Sequence, residues 1–269
     1  MSQHAPRRAK RSLGQNFLVD ANLQRKIVAA LGAGPDDEVL EVGPGRGALT
    51  RHLAGRVRRL VLVELDDALA AELAAEYAGR TDVEVVHRDV LDVDLGTVSA
   101  SPAALLVVGN IPYNITTPIA FHLLERPRPR EIVLMVQDDV ADRILAPVGT
   151  KAYGALSVGI RTVAQVERLF DVRRGAFRPV PGVDSSVIRI RPLVPEPLDL
   201  EEEEHLRTLV RAAFQWRRKQ LRRILRDHPD LATPADVMDE AARVAGVALD
   251  DRPERLSPEQ FIRLAAALP

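Results

Sequence analysis

Asn110-Ile111-Pro112-Tyr113 closes the apolar run Leu105-Leu106-Val107-Val108. Its residue types suit methyl transfer to an amino nitrogen conjugated to a ring or carbonyl. Such a nitrogen is a poor nucleophile, because its lone pair is delocalised. An Asn side-chain oxygen and the next backbone carbonyl can each accept one of its two N–H bonds, drawing it toward the tetrahedral geometry from which the lone pair attacks. Asn110 and Ile111 would take those roles. Pro112 fixes its own φ and restrains Ile111, so that carbonyl is held beforehand, while Tyr113 offers an aromatic face on which a flat base can stack. Taken alone, the four residues also read as a strand ending in an Asn-x-Pro turn.

A second constellation lies upstream. Glu38-Val39-Leu40-Glu41-Val42 reads as a buried strand running into Gly43-Pro44-Gly45-Arg46-Gly47-Ala48, a glycine-rich turn that opens a helix. Glycines there let the backbone approach a nucleotide cofactor, and such turns lie where open α/β sheets bind ligands. The pattern also fits the dinucleotide fingerprint with Ala48 as its last small residue, so an NAD reading stands beside a methyl-donor reading. Glu64 ends a further strand about 20 residues after the loop, where a carboxylate accepts from ribose hydroxyls. Asp89 ends another, placed for an adenine amino group or, equally, for capping a turn. Hydride transfer would need a proton donor near the nicotinamide, and His52, His87 and His122 are scattered without a recognisable partner.

These residues need a parallel sheet to bring them together. Apolar runs predict strands near 38–42, 60–64, 83–86, 105–109 and 131–136 alternating with helices, with later strands near 157–168 and 184–191 completing seven, one edge antiparallel. Asp20 is placed to cap a helix carrying Leu23, Ile27, Val28 and Leu31. The proline-rich stretch 192–197 reads as a linker. Beyond it the chain reads as helical, with Ser257 and Pro258 starting the last helix. The expected organisation is a basic arm over 1–12, an α/β domain over 13–194 and a helical domain over 195–269.

The chain has 269 residues, is 46% hydrophobic and lacks cysteine, which supports a packed core and excludes disulfides and thiolate metal sites. No apolar run reaches membrane-span length and the N-terminus lacks the apolar stretch of a signal peptide, so a soluble cytoplasmic protein is expected. The formal charge is only −1, but its distribution is uneven. Arg7, Arg8, Lys10 and Arg11 form a basic arm; Arg173, Arg174 and Arg178 surround Phe177; Arg217, Arg218, Lys219, Arg222 and Arg223 crowd a segment read as helical beside Trp216. Such groups suit phosphate contacts, although the last cluster also reads as a solvated helix face balanced by Glu201 to Glu204. Arginine exceeds lysine, as in GC-rich or heat-adapted genomes.

Six blocks carry a resemblance: Leu13-Gly14-Gln15-Asn16-Phe17-Leu18, Glu41 to Gly47, Asn110 to Pro118, Tyr153 to Val158, Phe177 to Ser185 and Arg255 to Phe261. With them the chain resembles, nearly end to end, the ribosomal RNA adenine dimethyltransferases. The resemblance implies a class I methyltransferase fold, a Rossmann-like seven-stranded sheet with a smaller helical domain, and S-adenosylmethionine as donor. It implies dimethylation of N6 on two adjacent adenosines near the 3′ end of small-subunit rRNA, in an assembling subunit; the transfer is read as needing no metal, and nothing in the sequence demands more than a monomer. By the same likeness the donor meets Asn16, Leu18, Gly43, Gly45, Glu64, Asp89 and Asn110, and Phe177 is a second aromatic opposite Tyr113. A base between two such faces gains roughly 1–3 kcal/mol per stack. Gln137-Asp138-Asp139-Val140 stands where the family commonly has Gln-Lys-Glu-Val, and Ile111 where Leu is frequent in the small-subunit branch. Asn114 and the intact Phe177–Ser185 block point to that branch rather than to the antibiotic-resistance enzymes of large-subunit rRNA. A protein-glutamine methyltransferase and a largely non-catalytic ribosome-assembly factor are further readings.

Overall fold

Buried β-branched and leucine runs make the strands. A computed structural model describes residues 15–112 and 115–268. Its elements begin with β1 (Phe17–Leu18), α1 (Ala21–Leu31), β2 (Glu38–Val42), α2 (Thr50–Leu53), β3 (Arg59–Glu64), α3 (Asp67–Glu76), β4 (Val83–His87), α4 (Leu95–Val98), β5 (Leu106–Asn110), α5 (Thr116–His122), β6 (Glu131–Gln137) and α6 (Asp138–Leu145). They continue with α7 (Ala155–Arg161), β7 (Ala164–Val172), β8 (Phe177–Arg178), β9 (Ser185–Pro192), α8 (Leu200–Gln215), α9 (Leu221–Asp227), α10 (Ala235–Ala245) and α11 (Pro258–Ala267).

Seven strands form one sheet in the order β4-β3-β2-β5-β6-β9-β7. β2 to β6 pair in parallel, and β9 runs antiparallel to β6. The antiparallel strand therefore lies inside β7 rather than at the edge. Neighbours β2 and β5 are not consecutive in the chain, so the order reverses between them, and open α/β sheets bind ligands at such a switch point. Val42 pairs with Gly109, which places Gly43 beside Asn110 at the strand ends. Residues 17–18 and 177–178 make a separate two-stranded ribbon.

Two helix starts follow their local signals. Asp20 accepts from the backbone N–H groups of Asn22 and Leu23 at 2.9 and 3.1 Å, and Ser257 and Gln260 exchange capping bonds with Pro258 in the first turn. Two expectations are corrected. The strand expected near 157–168 begins later, as β7 from Ala164, because residues 155–161 are helix: Ser157 takes the Gly154 N–H, its hydroxyl donates to the Arg143 carbonyl, and Leu156, Val158 and Ile160 are all buried. Burial at alternate positions 156, 158 and 160 mimics a strand and hides the 3.6-residue period that identifies a helix. The expected boundary at 194 is also too simple. The chain divides into one unit of Met1–Ala141 with Glu167–Ile190 and another of Asp142–Val166 with Arg191–Pro269. The second unit's core explains why: Ala146, Tyr153 and Val158 join Leu206, Leu209, Met238, Phe261 and Leu264 in one cluster. Among the described residues no helix is long and apolar enough to cross a membrane.

Candidate active site

Gly43 leaves β2 at φ +64° and donates its N–H to the Val63 carbonyl at 2.9 Å, tying the loop to β3. Gly45, at φ +58°, passes close to β1: a Cβ there would fall 3.3 Å from the Phe17 ring. Both conformations favour glycine, and both leave backbone open toward the space below. Arg51 braces the turn from α2, donating to the Gly47 and Arg46 carbonyls at 2.8 and 2.9 Å.

That space is a cavity of about 420 Å³, within the usual range for a small-molecule site. Asn16, Leu18, Gly43, Gly45, Glu64, Asp89, Asn110, Ile111 and Pro112 all line it. Its wall also takes Gln15, Phe17, Gln24, Glu41, Arg46, Leu65, Arg88, Val90 and Arg178, which sequence reasoning had not assigned to a cofactor site. Glu41 carried a signal, an acid inside an otherwise apolar strand. The others carried none in isolation.

The polar groups are partly committed. Glu64 accepts the Gly45 N–H on one oxygen and the Asp66 N–H on the other, each at 2.9 Å. A carboxylate has about four acceptor positions, so capacity remains for two hydroxyls. Burial raises the Glu64 carboxyl above the ordinary range, against those backbone bonds. Glu41 is buried and receives the Thr50 hydroxyl at 2.7 Å; desolvation pushes it up to about 7. Asp89 does both things its position allowed: it lines the cavity, and it caps the turn Val90–Asp92 by accepting from the Leu91 N–H at 3.0 Å.

Asn110 donates through Nδ2 to the Asn16 carbonyl at 3.0 Å. This assigns the amide: the nitrogen faces Asn16, just before β1, and Oδ1 is the acceptor. The Ile111 N–H donates to Met135 of β6 at 3.3 Å, and the Pro112 carbonyl accepts from Ile115 at 3.2 Å. The chain is therefore anchored on both sides of the paired acceptors. Tyr113 lies outside the described residues, as do Arg7, Arg8, Lys10, Arg11 and Asn114.

Phe177 is corrected. It is fully buried, belongs to the core cluster with Leu18, Ile27 and Leu53, and does not line the cavity. A ring without accessible surface has no face to offer a base; its neighbour Arg178 reaches the cavity instead. Arg173 and Arg174 are tied to their own loop, both donating to Asp184 at 2.9 Å, from a side chain and a backbone N–H respectively. Those bonds, the Arg174 backbone bond first, hold the Asp184 carboxyl below its usual value.

In the second unit, the basic cluster is not one helix. Arg217, Arg218 and Lys219 lie in the turn between α8 and α9, with Arg222 and Arg223 on α9. Arg217 is structural: it donates to the Lys151 and Thr150 carbonyls at 3.0 and 3.2 Å and approaches Glu254 at 3.6 Å. Arg222 pairs with Asp239 at 3.4 Å and Arg223 with Asp227 at 3.6 Å. Arg218 and Lys219 are exposed. None of the three histidines lines the cavity: His52 meets Gln24, His87 the Leu65 carbonyl and His122 the Val93 carbonyl.

A sheet of five parallel strands with one antiparallel strand inserted before its edge, and a cavity at the switch point between a glycine loop and an Asn-Ile-Pro turn, defines a class I methyltransferase. The family of ribosomal RNA adenine dimethylases matches residues 7–268, and the chain belongs to it. It is 42% identical to the ribosomal RNA small subunit methyltransferase A of Geobacter metallireducens, covering 97% of this chain and 96% of that one. It is 40% identical to the protein of that name from Pseudomonas fluorescens, over 100% and 97% of the two chains. Among solved structures, a dimethyladenosine transferase from Plasmodium falciparum superposes with TM-score 0.76 at 25% identity, over 92% of this chain and 95% of that one. The 23S rRNA methyltransferase ErmE gives 0.69 at 31% identity, over 94% and 99%.

Proposed function

We propose that this enzyme uses S-adenosylmethionine to dimethylate N6 of two adjacent adenosines near the 3′ end of small-subunit rRNA, in the cytoplasm, during assembly of the subunit. The observation that carries the reading is the Asn110 amide, its nitrogen spent on the Asn16 carbonyl and its oxygen left to accept, beside Gly43 at the end of the β2–β5 pair. The small-subunit branch is favoured by relatives of that name at 40–42% identity.

The cavity suits the donor. Gly43 and Gly45 open the backbone to it, Glu64 keeps acceptor capacity for ribose hydroxyls, and Leu65 and Val90 line the wall beside Asp89 at the adenine end. When bound, S-adenosylmethionine supplies an electrophilic methyl on a sulfonium leaving group. The chain supplies orientation. Asn110 Oδ1 and the Ile111 carbonyl accept the two N–H bonds of the target amine and raise the nucleophilicity of its nitrogen. A neutral amide suffices, because the amine becomes acidic only as it turns cationic, and the proton then leaves to solvent. Tyr113 is assigned to stacking on the base. Arg178 at the cavity wall, Arg218 and Lys219 in the second unit, and the arm Arg7, Arg8, Lys10 and Arg11 are assigned to phosphates, with the protein acting as a monomer.

The test is mass spectrometry of nuclease-digested rRNA after the pure protein, S-adenosylmethionine and under-methylated small subunits are incubated together. N6,N6-dimethyladenosine in small-subunit RNA is expected. Product in naked large-subunit RNA instead would move the enzyme to the resistance branch, and none in either would leave an assembly factor.

A further inference from the structure

Gln24 is an amide on α1, the helix whose apolar residues Ile27 and Leu31 are buried, yet Gln24 is itself only 6% exposed. A buried amide is costly unless both of its ends are partnered. Both are. Nε2 donates to the Leu18 carbonyl at 2.9 Å, and Oε1 lies 3.3 Å from His52 Nε2. With Oε1 as acceptor, His52 must carry its proton on Nε2. Burial, then Arg25, Arg51 and Arg56, lowers the His52 pKa, and the Nε2 proton fixes which way the Gln24 amide faces.

The carbonyl that Gln24 holds belongs to β1, only two residues long. Asn16 immediately precedes β1, and its carbonyl receives Asn110 Nδ2. Hydrogen bonds from α2 to α1 and from α1 to Leu18, then the two-residue backbone step from Leu18 to Asn16, thus connect His52 to the catalytic amide. The other acceptor for the amine, the Ile111 carbonyl, is anchored separately through Met135 of β6.

Resting on the proposed dimethylation, we infer that Gln24 is a positioning residue for the second methyl transfer. In the first transfer the amine has two N–H bonds, and two acceptors share the work of orienting it. Each transfer replaces one N–H by N–CH3, the proton leaving to solvent. The second transfer then starts from an amine with a single N–H and depends on one acceptor. An Asn110 amide free to rotate impairs that step more than the first. Gln24, through Leu18 and Asn16, prevents the rotation.

The readout is the ratio of N6-methyladenosine to N6,N6-dimethyladenosine, compared at equal total methyl incorporated and saturating donor. A loss of folded enzyme slows both steps together and leaves this ratio unmoved. Gln24→Met keeps the side-chain volume without polar atoms; Gln24→Glu keeps an acceptor for His52 but cannot donate to Leu18 when ionised. Each should raise the ratio by about fivefold, the effect of one ordinary hydrogen bond. If Gln24→Met fails to fold, Gln24→Glu carries the test alone. Unchanged ratios in folded variants would overturn the positioning role while leaving the enzyme's function intact. A wild-type protein that makes no dimethyladenosine would instead overturn the function, and this inference with it.

Discussion

Gly109 faces Val42 across the β2–β5 pair, one residue before Asn110, and the approach there is close. A Cβ on Gly109 would lie 2.8 Å from the Val42 carbonyl oxygen and 3.2 Å from the Val42 Cβ. A carbon resting against a carbonyl oxygen settles at about 3.3–3.6 Å. Gly109→Ala therefore forces the strands apart by roughly half an ångström, since a backbone oxygen and a Cβ have no rotamer by which to yield. Overpacking of this kind costs about 1–3 kcal/mol, and each kcal/mol lowers the melting temperature by about 2–4 °C in chains of comparable size. The same displacement separates Gly43 from Asn110. Misplacement by about 1 Å can cost a hundredfold in rate, so half of that should cost about tenfold. Thermal unfolding followed by circular dichroism, with initial rates measured well below the transition, reads both effects. Gly182→Ala is the reference, because a Cβ there meets nothing within 4 Å. If Gly109→Ala melts within about 1 °C of the reference and keeps its turnover, the strands are not in the contact described and their spacing does not set the site.

Asn110→Ala should lower turnover by about 10²–10³-fold, as loss of one oriented polar group at a reacting centre does, with little change in donor affinity by calorimetry; retained turnover would remove Asn110 from the chemistry. Glu41 should make stability fall with rising pH. Its carboxyl ordinarily titrates near 4.5 and burial pushes it up to about 7, so between those values the native state keeps a proton that the unfolded chain has released. The loss is at most about 3 kcal/mol, complete above the upper value. Glu41→Gln should accordingly gain melting temperature relative to wild type between pH 5 and pH 8, and parallel curves would contradict this. Replacing Arg218 and Lys219 together by Ala should make the dependence of log affinity for RNA on log salt shallower, by about one in slope for each phosphate that is no longer neutralised, without lowering the melting temperature. Arg217→Ala should lower the melting temperature, because its guanidinium holds the Thr150 and Lys151 carbonyls.

The parallel strands were legible because each is a short apolar run ending in a chemically marked residue: Val42 before Gly43, Glu64 itself, Asp89 two residues beyond β4, Asn110 itself. Local composition fails where packing overrides it. Residues 155–161 carry β-branched residues suited to a strand, yet a serine capping bond and burial on several faces make them helix. It fails also where a distant segment decides exposure. Beside three arginines Phe177 looks like an available aromatic, but its strand pairs with β1, some 160 residues earlier, and the ring becomes core. Arg217 and Arg218 are equivalent in sequence; carbonyls 66 and 67 residues away from Arg217 make one a brace and leave the other exposed. The same limit applies within the site. Sequence identifies Asn110, Glu64 and Asp89, but each has two polar ends, and the chemistry depends on which is already used. Glu64 shares both oxygens with backbone and retains lone pairs, Asp89 gives one oxygen to its own turn, and Asn110 spends its nitrogen on a carbonyl 94 residues back. Had the amide faced the other way, the same Asn110 would present a donor to the amine's N–H bonds and could not activate it.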